Sequence, residues 1–385
     1  MHQNFITFEL IYKRIKMKNS LLYIIINLTL LTQPAMAKHN TYNFLVGTYT
    51  NNTNSKGIYN IHCDFNQKKI TAHVTIDSIL DPSYLCLSTD KNFLYSISER
   101  GEKSSISSYH FDQQTGEAIF INRVAGYGAD PCYVAVSDKH VITANYSGGN
   151  VCVFGRNKDG ALTDIIQNIQ HEGKSIDPNR QNKPHVHQAI FSPDKKFVLV
   201  NDLGTDFVTS YSYNPDSETN VLTEVSKLKL KEGSGPRHLA FSKNAKHIYV
   251  LQEMDGTVTT ISIDNGKLQL VDETTVIRKE NIVSGAADIH ISPDGKFLYA
   301  TNRGNANDIS VFSIRANGKI QFVEQISVNG IGPRNFAITS DGKFILVANQ
   351  KTNQVIVFNR NKKSGKLTDA GVKIDLPSPV CLVEY

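Results

Sequence analysis

Ala287-Asp288-Ile289-His290-Ile291-Ser292-Pro293-Asp294-Gly295-Lys296-Phe297-Leu298-Tyr299-Ala300-Thr301-Asn302-Arg303 carries the grammar of the whole chain. A short apolar strand runs into Ser-Pro-Asp-Gly-Lys, whose Asp and Gly suit a tight turn. The strand that returns from it is apolar almost throughout, the pattern of a strand covered on both faces. The same order recurs from Pro82 (LCLSTDKNFLYSISE), Pro131 (VAVSDKHVITANY), Pro184 (AIFSPDKKFVLVNDLG), Pro236 (LAFSKNAKHIYVLQE) and Pro333 (FAITSDGKFILVANQ). Starts at 82, 131, 184, 236, 286 and 333 are separated by 49, 53, 52, 50 and 47 residues, a strand-rich period that marks a repeat architecture.

Each unit reads as four antiparallel strands, with Asn317-Gly318 or Ser364-Gly365 turning the third strand into the outer fourth. Six units are complete. Residues 43–74 supply three strands without an inner one, and residues 377–385 supply an inner strand without the rest. Joined, they make a seventh unit and close a ring. The expected fold is therefore all-β, a seven-bladed β-propeller. A linear solenoid needs no such complementary ends, and the absence of Trp argues against Trp-Asp repeats.

Residues 1–37 read differently. Lys13, Arg14, Lys16 and Lys18 precede an apolar run over residues 21–31, then Pro34 and Ala35-Met36-Ala37. That is the order of a secretory leader with cleavage after Ala37, and Met17 would serve as an alternative start. An uncleaved anchor is the competing reading, although the run is short for a bilayer span. The expected mature protein, residues 38–385, is soluble and exported, in the periplasm, with no stable membrane span. Removing the leader also removes most of the basic excess. The +5 total falls to 37 basic against 35 acidic residues, and no Lys/Arg stripe suggests nucleic-acid binding. Cys63, Cys86, Cys132, Cys152 and Cys381 are far apart and odd in number, which favours small buried side chains over a disulfide framework or zinc site.

The register fixes what reaches one rim of the central channel. Aligned on the Ser/Thr before each first turn, one ring reads Ser83, Cys132, His187, Arg237, Ala287, Arg334 and Ser378. The next reads Tyr84, Tyr133, Gln188, His238, Asp288 and Asn335, and the second strands end at Glu99, Tyr146, Leu203, Glu253, Arg303 and Gln350. Arginines, carboxylates and histidines thus gather at the end of strands whose middles are apolar. Buried charge is costly unless paired or functional, so a cationic pocket is expected. Arg237, Arg303 and Arg334 suit a phosphate or carboxylate, and Glu253 or His187 suits proton transfer. The bland alternative is that individual rim residues are hydrogen-bonded structural groups; His290, mid-strand, reads equally well as a core histidine. His185 and His187 alternate on one strand, but no acidic cluster completes a metal site, and no G-x-S-x-G elbow supports a serine nucleophile. No cofactor is expected, and the oligomeric state is not legible.

Phe44-Leu45-Val46-Gly47-Thr48-Tyr49-Thr50, Pro184-His185-Val186-His187, Gly235-Pro236-Arg237-His238, Thr301-Asn302-Arg303-Gly304 and Gly332-Pro333-Arg334-Asn335 together resemble segments of the lactonase seven-bladed propeller family. The likeness runs from about residue 43 to the C-terminus. That family includes bacterial 6-phosphogluconolactonase and a fungal muconate cyclase. The resemblance implies hydrolysis of a sugar lactone, an anionic small molecule, with catalytic roles for His187 (or His185), Arg237, Glu253 and Arg303. His185, His238, His290 and Arg334 are the accompanying substrate-binding candidates. The competing expectation is an exported, non-catalytic propeller that binds a sugar or protein ligand at the same mouth. Substitutions at Glu253 and Arg237 are expected to lower turnover and leave melting nearly unchanged.

Overall fold

The computed structural model describes residues 40–385, together with Arg14; the expected leader otherwise lies outside the described residues. From Tyr42 onward the chain forms one unit of seven four-stranded antiparallel sheets. The blades are numbered from the one that holds both chain ends. In blade 1 the C-terminal strand Pro379–Glu384 pairs with Thr41–Thr48, which continues into Gly57–Asp64 and Lys69–Asp77. Blades 2 to 7 begin with the inner strands Leu85–Leu87, Pro131–Val136, Val186–Phe191, Pro236–Phe241, Ala286–Ile291 and Pro333–Ile338. The expected closure is therefore present, with Phe44 opposite Glu384 and Gly47 opposite Cys381. Only blade 2 departs from the expected inner strand. Its ladder is reduced to three residues, although the Tyr84 carbonyl still accepts the Ile97 amide at 3.3 Å.

Alternation along each strand sends successive side chains to opposite faces. In Phe297–Asn302, Phe297 and Tyr299 pack toward blade 7 while Leu298 and Ala300 pack toward blade 5. Seven apolar clusters result, one for every adjacent pair of blades, including blade 7 against blade 1. This explains why the second strands read as unbroken apolar runs. The turns behave as their composition predicts. Ser292 Oγ donates to Asp294 at 2.6 Å and accepts from the Phe297 amide at 3.1 Å, and Gly295 takes φ +74. The outer hairpins lock neighbouring blades. Tyr299 Oη donates to the Gly365 carbonyl at 2.7 Å, and a Cβ on Gly365 would lie 2.3 Å from the Phe297 ring. Among the described residues no helix is long and apolar enough to cross a membrane.

Candidate active site

The inner strands do not run straight to the rim. In blades 3, 4, 5, 6 and 7 the register slips at the first turn of pairing, between Pro131/Tyr133, Val186/Gln188, Pro236/His238, Ala286/Ile289 and Pro333/Asn335. A bulge leaves one residue unpaired and re-aims its neighbours. Strict alternation would send Arg237 and His238 to opposite faces. The bulge lets both serve the channel, and the same holds for His187 beside Gln188.

The upper tier centres on Glu253, at the end of the second strand of blade 5. Its Oε2 accepts Arg237 Nε at 3.0 Å and Arg303 Nη2 at 2.9 Å, while Oε1 accepts Arg180 Nη2 at 2.7 Å. Burial pushes the Glu253 carboxyl up, but Arg303, Arg237 and Arg180 outweigh it and hold it at about 2. Burial lowers Arg303 to about 10, still cationic at neutral pH, with Glu253 opposing part of the shift. Arg237 is fully enclosed and also donates to the Ala287 carbonyl; Arg303 donates to the Gly285 carbonyl at 3.0 Å. Across the mouth, Arg334 lies over the Tyr49 ring and donates to its hydroxyl at 2.8 Å, and Tyr49 in turn donates to Glu99 at 2.7 Å.

The histidines divide between two levels. His185 stacks on Tyr146 with centroids 4.4 Å apart, and His187 meets the same ring edge-on at 5.7 Å. Burial, reinforced by Arg237 and the other nearby cations, drives the His187 imidazole well below its ordinary value. It is therefore neutral at physiological pH, and its Nδ1 has no partner among the described protein atoms. Below lies His238, 5.2 Å from His187 ring to ring. Asp288 accepts His238 Nδ1 at 2.7 Å, His290 Nε2 at 2.8 Å and the Asn335 amide at 2.6 Å. Polar side chains of this second ring also tie inner strands to the next blade. Gln188 accepts the Leu239 amide at 2.7 Å and Asn335 the Leu382 amide at 2.7 Å.

The residues expected at the rim are thus sorted. Glu253, Arg237 and Arg303 form one cluster; His185 and His187 share Tyr146; Arg334 stands opposite on Tyr49; His238 and His290 share Asp288 one level down. Arg180 and Tyr49 were not among the expected site residues. Arg180 belongs to the connection over residues 171–185, outside the repeat, so no register points to it. The signal available was the 53-residue spacing between the starts at 131 and 184, blades 3 and 4, the longest of the series. Cys132 packs its Sγ 3.3 Å from the His187 carbonyl, and burial pushes its thiol far up, so it is a packing residue of the rim.

A ring of seven blades whose mouth holds a carboxylate among arginines, with histidines beneath, defines a propeller with a cationic pocket. The model of the lactonase seven-bladed β-propeller family matches residues 43–384, and the chain belongs to that family. It is 33% identical over 343 residues to the 6-phosphogluconolactonase of Bacillus subtilis, covering 88% of this chain and 96% of that one. It is 34% identical over 331 residues to the 6-phosphogluconolactonase of Formosa agariphila, covering 84% and 93%. Among solved structures it is similar to the periplasmic gluconolactonase of Pseudomonas aeruginosa, with 32% identity, a TM-score of 0.83, and coverage of 90% of this chain and 99% of that one.

Proposed function

We propose that the channel mouth hydrolyses a sugar lactone of the 6-phosphogluconolactone kind without a metal ion. The observation that carries this reading is the Glu253 cluster, three guanidinium groups on one carboxylate beside a neutral, partly unpartnered imidazole. Arginines rather than carboxylates surround Glu253, so the mouth repels cations and attracts an anionic substrate. Ring opening requires a proton acceptor for the attacking water and donors for the oxyanion that forms at the carbonyl. His187 suits the first role better than Glu253, because its Nδ1 has no partner among the described protein atoms while both Glu253 oxygens already accept guanidinium donors. Glu253 then serves to hold Arg237 and Arg303 in place, and their remaining N–H groups face the developing negative charge. Water adds to the carbonyl carbon, the ring C–O bond breaks, and the proton taken by His187 passes to the leaving alkoxide.

Hydrolysis of 6-phosphogluconolactone and of gluconolactone, measured above the spontaneous rate and with a chelator present, tests the reading. His187→Gln is expected to lower turnover about 10²–10⁴-fold. A parent protein that opens neither lactone but still binds one or its hydrolysed acid would support a binding propeller instead. For location we propose export with cleavage after Ala37, supported by the leader grammar and by the periplasmic relative. Intact mass of the envelope-derived protein decides it, an unprocessed cytosolic chain being the contrary result.

A further inference from the structure

The three arginines on Glu253 are not equivalent. Arg237 is 2% exposed, the Arg303 side chain 20%, and the Arg180 side chain 43%. Arg180 therefore forms the outer lip of the cluster, where a substrate arrives. It is also firmly held. It sits in a turn capped by Asp177, whose carboxylate accepts the Asn179 amide at 2.8 Å and the Arg180 amide at 3.0 Å. The next residue, Gln181, is fully buried and donates to the Leu203 carbonyl at 2.9 Å and to Asp206 at 2.8 Å. At the other end of the side chain, Nη2 donates to Glu253 and, at 3.1 Å, to Tyr146 Oη. Ordering such a flexible side chain at a mouth is costly, and its other N–H groups stay available on the solvent side.

The charge balance points the same way. One carboxylate faces three guanidinium groups, leaving a surplus of two positive charges at the cluster. Across the mouth Arg334 is already matched by Glu99 through Tyr49. A phosphate monoester carries about −1.5 to −2 near neutrality, which complements that surplus. A neutral lactone leaves it unmatched.

We propose that Arg180 is the specificity-determining residue that selects a phosphate-bearing lactone over its unphosphorylated counterpart, by donating to the phosphate at the outer lip while the lactone ring lies inward against Arg237, Arg303 and His187. This rests on the lactonase reading above. The test is the ratio of kcat/KM for 6-phosphogluconolactone to that for gluconolactone, in the parent, Arg180→Ala and Arg180→Lys. The parent is expected to favour the phosphorylated lactone. In Arg180→Ala the ratio should fall about 10–100-fold, the range of a hydrogen bond to a charged group, chiefly through KM. Arg180→Lys keeps charge without the planar fork and should fall in between. Added salt should erode the parent's preference and leave the ratio of Arg180→Ala nearly flat. A purely structural role, acting through Glu253, lowers both lactones together and leaves the ratio unmoved. An unmoved ratio, or a parent that prefers the neutral lactone, overturns the assignment and leaves the lactonase reading standing. A parent that opens neither lactone overturns both.

Discussion

Asp288 holds Nδ1 of His238 at 2.7 Å, in the middle of the channel and out of solvent. A carboxylate only accepts, so the proton lies on Nδ1 and the lone pair on Nε2. Burial and the neighbouring Arg237 nevertheless push His238 down to about 4, the attraction of Asp288 opposing part of the shift. His187, Tyr84 and Tyr133 face the same ring, and His290 reaches it through Asp288. Between about pH 4 and 6.5 the native state thus binds fewer protons at His238 than the unfolded chain does. The stability that His238 contributes should fall as pH drops through that window and level off below it. His187 adds a loss of the same sign. His290 has the opposite sign: Asp288 raises it against the pull of burial, so its contribution is full below 6.5 and is lost at higher pH. Urea midpoints of the parent and His238→Gln across this range check the account. The variant should show the shallower acid decline, and parallel curves would contradict it.

Arg237 and Glu253 form a buried pair, which changes what their substitution does. At the rim they read as side chains removable without consequence for the fold, but Arg237 is 2% exposed and donates to Glu253 and to the Ala287 carbonyl. Breaking a buried pair leaves an uncompensated charge and typically costs about 3–5 kcal/mol. Glu253→Gln leaves three guanidinium groups without their carboxylate and is expected to lose stability on that scale, along with turnover. Arg237→Met, which fills the space and removes the charge, should be less damaging to stability than Glu253→Gln. Equilibrium urea denaturation distinguishes them, and equal, negligible losses would show that the cluster is hydrated and weakly coupled.

The fold was legible because its signals are local and repeated. Ser292-Pro293-Asp294-Gly295 announces a turn by its own chemistry, and residues 377–385 match the other inner strands in both pattern and leading Pro. The ring positions followed from register, which is why Glu253, Arg237, Arg303, His187 and Arg334 were all found. Contacts across the ring were not legible. Nothing in the order of residues states that Asp288 joins His238 of one blade to Asn335 of another, or that Tyr49 shields Arg334. The bulges, too, leave no mark in a sequence that reads as continuous strand, yet they decide that Arg237 and His238 serve one channel. Arg180 escaped because it lies between repeats, where no alignment of units can place it.

Leu382 donates its amide to Asn335 of blade 7 at 2.7 Å, so the closing strand is held on both sides, by this bond and by its ladder with Thr41–Thr48. Truncation after Leu376 removes that strand. It uncovers the edges of Thr41–Thr48 and the apolar faces of Leu45 and Val46, which pack against blades 2 and 7. Exposed strand edges of this kind template aggregation. The truncated chain is expected to be insoluble or to elute as large oligomers, and supplying residues 377–385 as a peptide should restore part of the monomer. A truncated chain that stays monomeric with the parent's melting temperature would refute closure by this strand.

Asp206 ties together the two segments that deliver Arg180 and Arg237. One oxygen accepts Gln181 Nε2 at 2.8 Å and the Gly235 amide at 2.7 Å; the other accepts the Gly233 amide at 2.8 Å and the Ser175 hydroxyl. The residue is fully buried, has φ +57 and is bonded to both segments rather than to Glu253 or the arginines themselves. It is a positioning residue. Asp206→Asn keeps the size and one acceptor oxygen but presents an amide on the other side; the Ser175 hydroxyl can accept from that amide, whereas a backbone N–H such as that of Gly233 cannot, so at least one of these bonds must fail. Both arginines should then move relative to Glu253, and small displacements at a reacting centre reduce rate steeply. Loss of kcat is expected together with a reduced preference for the phosphorylated lactone, because the outer lip loosens along with the inner pair. Single substitutions on either side separate the contributions. Gln181→Ala should disturb the preference more than kcat, whereas loosening the segment of Gly233 and Gly235 should disturb kcat more. If Asp206→Asn folds and retains both the parent's kcat and its preference, the two segments are positioned by their blades alone.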